Sequence, residues 1–195
     1  MARRVYPHFE NAETTVPTAV VDGADTQAWY DQYGRAIVAG GAIVTVLDLI
    51  PTVYAAGAIA NNQVLATGQA LAGVSRVVGG TIRLDNLIVK SYDDHPSALT
   101  VYFFDTAAAV LGVLGAGITI TDAHLASLVG KVKVLASDYD DMINSRVAQI
   151  SNINLTMKCP AAGTGLWVAI CFRDAAGVTY TATGLALKMS FIQDL

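Results

Sequence analysis

The sequence predicts a mainly β protein: a two-sheet, jelly-roll-like β-sandwich with one short helix and an extended N-terminal arm. Three observations predict it. From Gly80 onward, apolar and polar residues alternate in short runs, the two-residue period of a strand with one committed face. Turns rich in Gly and Asp separate those runs at spacings that suit a sandwich. Residues 1–35 are unlike the rest, because Pro7, Pro17, Glu10–Thr15 and Val21–Asp25 interrupt every periodicity. They predict an arm, and residues 36–195 a sandwich domain.

In chain order, Ala36–Ile50 supplies one or two strands broken at Gly40-Gly41. Tyr54–Gly57, Gln63–Ala66 and Ala70–Val78 follow as short segments, and Gly79-Gly80 breaks the chain again. Ile82–Asp105 then predicts a hairpin, two apolar runs joined by Ser91–Ser97. Within its first run the inward phase slips at Asp85-Asn86, from Ile82 and Leu84 to Leu87 and Val89, as a β-bulge requires. In its second run Leu99, Val101 and Phe103 point one way, and Thr100, Tyr102 and Phe104 the other. Ala107–Gly117 predicts a flexible connector. Thr121–Gly130 predicts a two-turn helix spanning about 121–129, N-capped by Thr121 or Asp122 and ended by Gly130. Lys131–Leu135 alternates, and Ser137–Arg146 is a polar loop. Four closing strands are centred on Leu155, Val168, Tyr180 and Leu187.

Composition narrows the function. Hydrophobic residues make up 53% of the chain and charged residues only 14%. Such a charge-poor surface suits burial between neighbouring subunits. The net charge is −4, and no segment gathers basic residues into a nucleic-acid footprint. The apolar region Ala36–Ala60 holds Asp48 and Pro51 and is not Leu-rich, which argues against a membrane span. No signal peptide opens the sequence. Asn154-Leu155-Thr156 fits a glycosylation acceptor, but without secretion it marks only an exposed strand. Cys159 and Cys171 are expected as free, buried thiols of a reducing compartment.

No set of residues assembles into an expected active site or cofactor site. Asp138-Tyr139-Asp140-Asp141 lacks the glycine and the oxygen spacing of a calcium loop, so no metal is expected there. Gly112–Gly117 has the wrong glycine order for a phosphate cradle and precedes a strand. His124, Asp122 and Ser127 share a short helix, where Ser127 cannot serve as an exposed nucleophile. No glutamate occurs after Glu13, which leaves few acids for glycoside cleavage. The chain is therefore expected not to be an enzyme. Trp29, Tyr30 and Tyr33 form the only dense aromatic cluster of the arm and, with Arg3 and Arg4, are the candidate interface residues.

Several strand and turn signatures carry a family resemblance. They are Tyr54-Ala55-Ala56-Gly57, the Gly80–Asp105 region ending in Phe103-Phe104-Asp105, and Ile120-Thr121-Asp122-Ala123. Gly165–Ile170, Thr179–Leu185 and Phe191-Ile192-Gln193-Asp194 complete the set. Across residues 54–195 the chain resembles tailed-bacteriophage structural proteins of the capsid decoration, or cement, type. Residues 1–53 depart from that pattern. The resemblance implies a β-sandwich on the capsid exterior, commonly a trimer, assembled in the host bacterial cytoplasm and bound to the major capsid protein. Two other roles fit the same residues: a tail, baseplate or fibre-base component, and a carbohydrate-binding sandwich using Trp167, Tyr102 and Tyr180.

Overall fold

The computed structural model describes residues 29–30, 36–37, 43–107, 111–175 and 177–193. The chain divides into two compact units, Met1–Gly41 and Ala42–Leu195. In the first, β1 (Trp29–Tyr30) pairs antiparallel with β2 (Ala36–Ile37), Trp29 opposite Ile37 and Tyr30 opposite Ala36.

The second unit is built from β3 (Ile43–Leu49), β4 (Val64–Leu71), β5 (Thr81–Ser91), β6 (Leu99–Phe104), α1 (Asp122–Ala126), β7 (Leu128–Val134), β8 (Tyr139–Asp141), β9 (Arg146–Lys158), β10 (Leu166–Phe172) and β11 (Leu185–Gln193). The antiparallel pairs are nested: β6 with β7, β5 with β9, β4 with β10 and β3 with β11. This is one long antiparallel ribbon rolled so that its halves fall into two sheets, ordered β4-β10-β6-β7 and β3-β11-β5-β9-β8. Eight of these strands in that order make a jelly roll, and β8 extends one sheet. The expected mainly β sandwich is the observed architecture.

The main core lies between the sheets. Ile82, Leu84, Leu87 and Val89 of β5 and Leu185, Leu187, Met189 and Phe191 of β11 face Leu99, Val101 and Phe103 of β6 and Leu166, Val168, Ile170 and Phe172 of β10. All are buried, as period-two alternation demands. The bulge sits where the phase slips. Leu84 pairs with Leu155 but Asn86 with Ser151, so β9 spends three residues against Asp85 alone. Asn152 and Asn154 take the left-handed conformation within it, φ 56° and 52°, which Asn tolerates better than most residues.

Four expectations are corrected. The Ile82–Asp105 runs do not form a hairpin: β5 and β6 lie in different sheets, and Tyr92–Ala98 arches between them. Alternation specifies a buried face, and an arch satisfies it by aiming both apolar sets at one core. Secondly, α1 ends at Ser127, whose hydroxyl donates to the carbonyls of Ala123 and His124. Gly130 is instead a β7 residue opposite Phe103, where a Cβ would lie 2.8 Å from Leu155 Cδ2. Thirdly, Val178–Thr183 is no strand. Its backbone makes one bridge, Val178 to Ile59, and a turn from Gly184 N to Thr181 O. Finally, Ala70–Val78 does not continue as a strand beyond Leu71.

The Ala/Gly connector also has more structure than its composition implied. Gly115 N donates to Val64 O, Val64 N to Ala116 O, and Thr119 N to Leu111 O. The segment thereby covers the outer face of the four-stranded sheet, burying Leu111 with Val64, Phe104, Ala169 and Cys171. Gly115 has φ 73° and lies against the Tyr54 ring, so a Cβ there has no room. Both cysteines are buried and free, on opposite sides of this sheet.

Candidate interaction surface

Register brings five of the exposed large apolar side chains, the most exposed of the described residues among them, to one end of the sandwich. In the five-stranded sheet Leu185 lies opposite Ser91, Ser91 opposite Arg146, and Arg146 opposite Asp141. In the four-stranded sheet Phe172 lies opposite Leu99, and Leu99 opposite Val134. The segments leaving these rows begin with Tyr92, Met142, Ile143 and Leu135, and Ile50 follows β3 on the same side. All five are more than half exposed. Apolar side chains gathered at one end mark a contact surface more than the same residues scattered would.

Ile143 is the sharpest feature of that end. It is 85% exposed and holds φ 75°. A β-branched residue in the left-handed region costs about 1–3 kcal/mol, and in the isolated chain its side chain offsets none of that. The β8–β9 turn holds it there. Ile143 N donates to Asp141 Oδ1 at 2.8 Å, and Met142 N donates to Ser145 O at 2.9 Å. Arg146 then fixes the turn to the neighbouring arch, with Nε 2.8 Å from Asp94 Oδ1 and Nη2 3.1 Å from Asp141 Oδ2. A turn whose backbone is already held loses little entropy on docking.

The adjacent arch is braced in the same way. The Asp93 carboxylate accepts hydrogen bonds from Thr181 N at 2.7 Å and from Thr181 Oγ1 at 2.9 Å. His95 N donates to Ser91 Oγ, and His95 Nε2 donates to Thr179 O. The His95 ring meets Tyr180 edge-on, with centroids 5.3 Å apart. These side-chain contacts tie the residues around Val178–Thr183 down without a ladder.

Tyr139 and Tyr180 are buried beneath this end, and burial is the main reason that both phenols titrate high. Tyr180 is pushed up to about 12, the Ser97 hydroxyl working in the opposite sense. An unfolded tyrosine titrates near about 10. Above that pH the folded chain holds protons that the unfolded chain has lost. Stability is therefore intact below about pH 10 and falls as pH rises towards 12, by up to about 1.4 kcal/mol per pH unit for each tyrosine. Urea unfolding at rising alkaline pH should show this decline, and Tyr139→Phe and Tyr180→Phe should each flatten it. An unchanged slope in the double variant would refute the assignment.

The sequence-predicted residues are placed as follows. Trp29 and Tyr30 lie on β1; Arg3, Arg4 and Tyr33 fall outside the described residues. The acidic turn engages its own chain: Asp138 Oδ2 accepts from Leu135 N, and Asp141 holds Ile143 N and Arg146. Among the described residues no cluster of three or more His, Cys, Asp or Glu could hold a metal ion. Likewise, no described helix is long and apolar enough to cross a membrane. Ser127 donates to backbone carbonyls of its own helix, so it forms no relay with His124. Tyr180 is buried and the Tyr102 hydroxyl accepts from Arg173, so the three aromatics do not make one exposed platform. Sequence reasoning missed Met142 and Ile143. The available signal was two apolar residues at the tip of an otherwise polar turn.

No protein-family model matches the chain, and neither does any curated protein. Among solved structures, a chain titled Desmodium yellow mottle tymovirus is similar at 11% identity. The match covers 79% of this chain and 83% of that one, with a TM-score of 0.26.

Proposed function

We propose that this chain is a structural subunit of a virus particle, a decoration protein that docks its apolar loop end onto neighbouring capsid subunits. The observation that carries the reading is Ile143, an apolar residue held exposed in a conformation unfavourable to it. Such a residue suits a contact that exists only in an assembly. The jelly roll supports the reading as a rigid scaffold, although fold alone does not name a function. The specific role is supported by the resemblance of its strand and turn signatures to those of phage decoration proteins.

In this role the protein acts mechanically. Copies seated across subunit joints stabilise the shell by mass action, because they bind only the assembled form. Each contact would bury about 1,000 Å² or more, the range of specific interfaces. Grouping copies as a closed trimer would leave fewer of the open edges β3, β4, β7 and β8 free to pair indiscriminately.

Quantitative mass spectrometry of purified particles tests the proposal. A decoration protein is expected at hundreds of copies per particle, scaling with the shell protein. A count in single digits or tens would replace this reading with a tail, baseplate or fibre-base component. Absence from particles would overturn both.

A further inference from the structure

Beside the loop end, on the outer face of the four-stranded sheet, lies an open groove of about 450 Å³. Three cations line it. Lys131 and Lys133 are exposed on β7, directly opposite Tyr102 and Thr100 of β6. Arg173 follows β10 and reaches the same two residues from the other side: Nε donates to Thr100 Oγ1 at 3.3 Å and Nη2 to the Tyr102 hydroxyl at 2.6 Å. Its Nη1 donates to Asn62 Oδ1. Thr100, Tyr102, Lys131 and Lys133 are thus on one face, with positive charge on both flanks of β6.

The charge is not ion-paired among the described residues. Among the described residues no carboxylate lines the groove, and none forms an ion pair with Lys131, Lys133 or Arg173. Neutral acceptors use three of the five N–H donors of Arg173, which orients the guanidinium and leaves two donors free. In a chain of net charge −4, three clustered cations that form no ion pair among the described residues, with Asp174 as the one acid adjacent to them in sequence, are poorly explained by folding alone.

We infer that this groove is an anion-binding site for a multidentate oxyanion, a phosphate or a carboxylate group. A fixed guanidinium suits two oxygens of one such group, and the two lysines add point charges across the strand. Three cations are too few for a nucleic-acid footprint. The inference does not depend on the decoration role: it rests on Lys131, Lys133 and Arg173, although Leu135 borders both the groove and the loop end.

The test uses the full chain at low ionic strength, titrated separately with inorganic phosphate and with citrate against a sodium chloride control. Backbone amide shifts are followed by NMR. Saturable shifts confined to residues 98–102, 131–135 and 173 are expected with at least one of the two. Phosphate alone assigns a compact oxyanion, citrate alone a polycarboxylate, and both a general oxyanion site. The Lys131→Gln/Lys133→Gln double variant changes only exposed, unpaired side chains, so it should keep the parent's melting temperature. It should bind about tenfold more weakly or worse, as two nearby charges are lost. No saturable shift beyond the chloride control, or equal affinity in the double variant, would overturn the site.

Discussion

Phe103→Ala is expected to destabilise the sandwich by about 3–5 kcal/mol, the cost of deleting a buried aromatic side chain. Phe103 is fully buried on the inner face of β6, between β10 and β7, and packs in the main core between the two sheets. The facing strands are held by their own ladders and can close the gap only partly. For a domain of this size, about 2–4 °C of melting temperature is lost per kcal/mol. The variant should therefore melt about 6–20 °C below the parent. Calorimetry gives the result directly. A loss under about 1 kcal/mol would mean that Phe103 is not between the sheets.

Ile143→Asn should move stability and assembly in opposite directions. Asparagine accepts the left-handed conformation that isoleucine resists, so the isolated chain should gain about 1 kcal/mol. The hydrogen bond from backbone N to Asp141 Oδ1 is kept, so the turn itself should persist. Docking loses the burial of one large aliphatic side chain, about 1.5–3 kcal/mol, or at least tenfold in affinity. Fewer copies should then remain on particles challenged with dilution. A variant that is both more stable and equally well incorporated would remove Ile143 from the interface. A core residue cannot produce this opposition of sign, which separates docking from folding.

Much of the fold was legible because burial writes a two-residue period into a strand. The inward sets of β5, β6, β10 and β11 were readable residue by residue, and the Asp85-Asn86 slip located the bulge. What alternation does not encode is the partner. The runs that became β5 and β6 satisfy a hairpin and an arch equally well, and the choice depends on residues far along the chain. Asp93 finds Thr181 and Asp94 finds Arg146 only after folding. The same blindness made Val178–Ala182 look like a strand, although side chains rather than a ladder hold that stretch. Gly130 was misread as a helix stop because a glycine chosen for close approach looks the same as one chosen for a turn. The interaction surface was least visible. Tyr92 lies far in sequence from Leu135 and Ile143, and the three share an end only through register.

Photo-cross-linking within assembled particles, from a reactive residue at position 143 and from another at position 78, tests the central claim most directly. Val78 is also well exposed but lies at the opposite end of β5. The account predicts adducts to the shell protein from position 143 and none from position 78. Adducts from position 78 alone, or from neither, would contradict docking through the loop end.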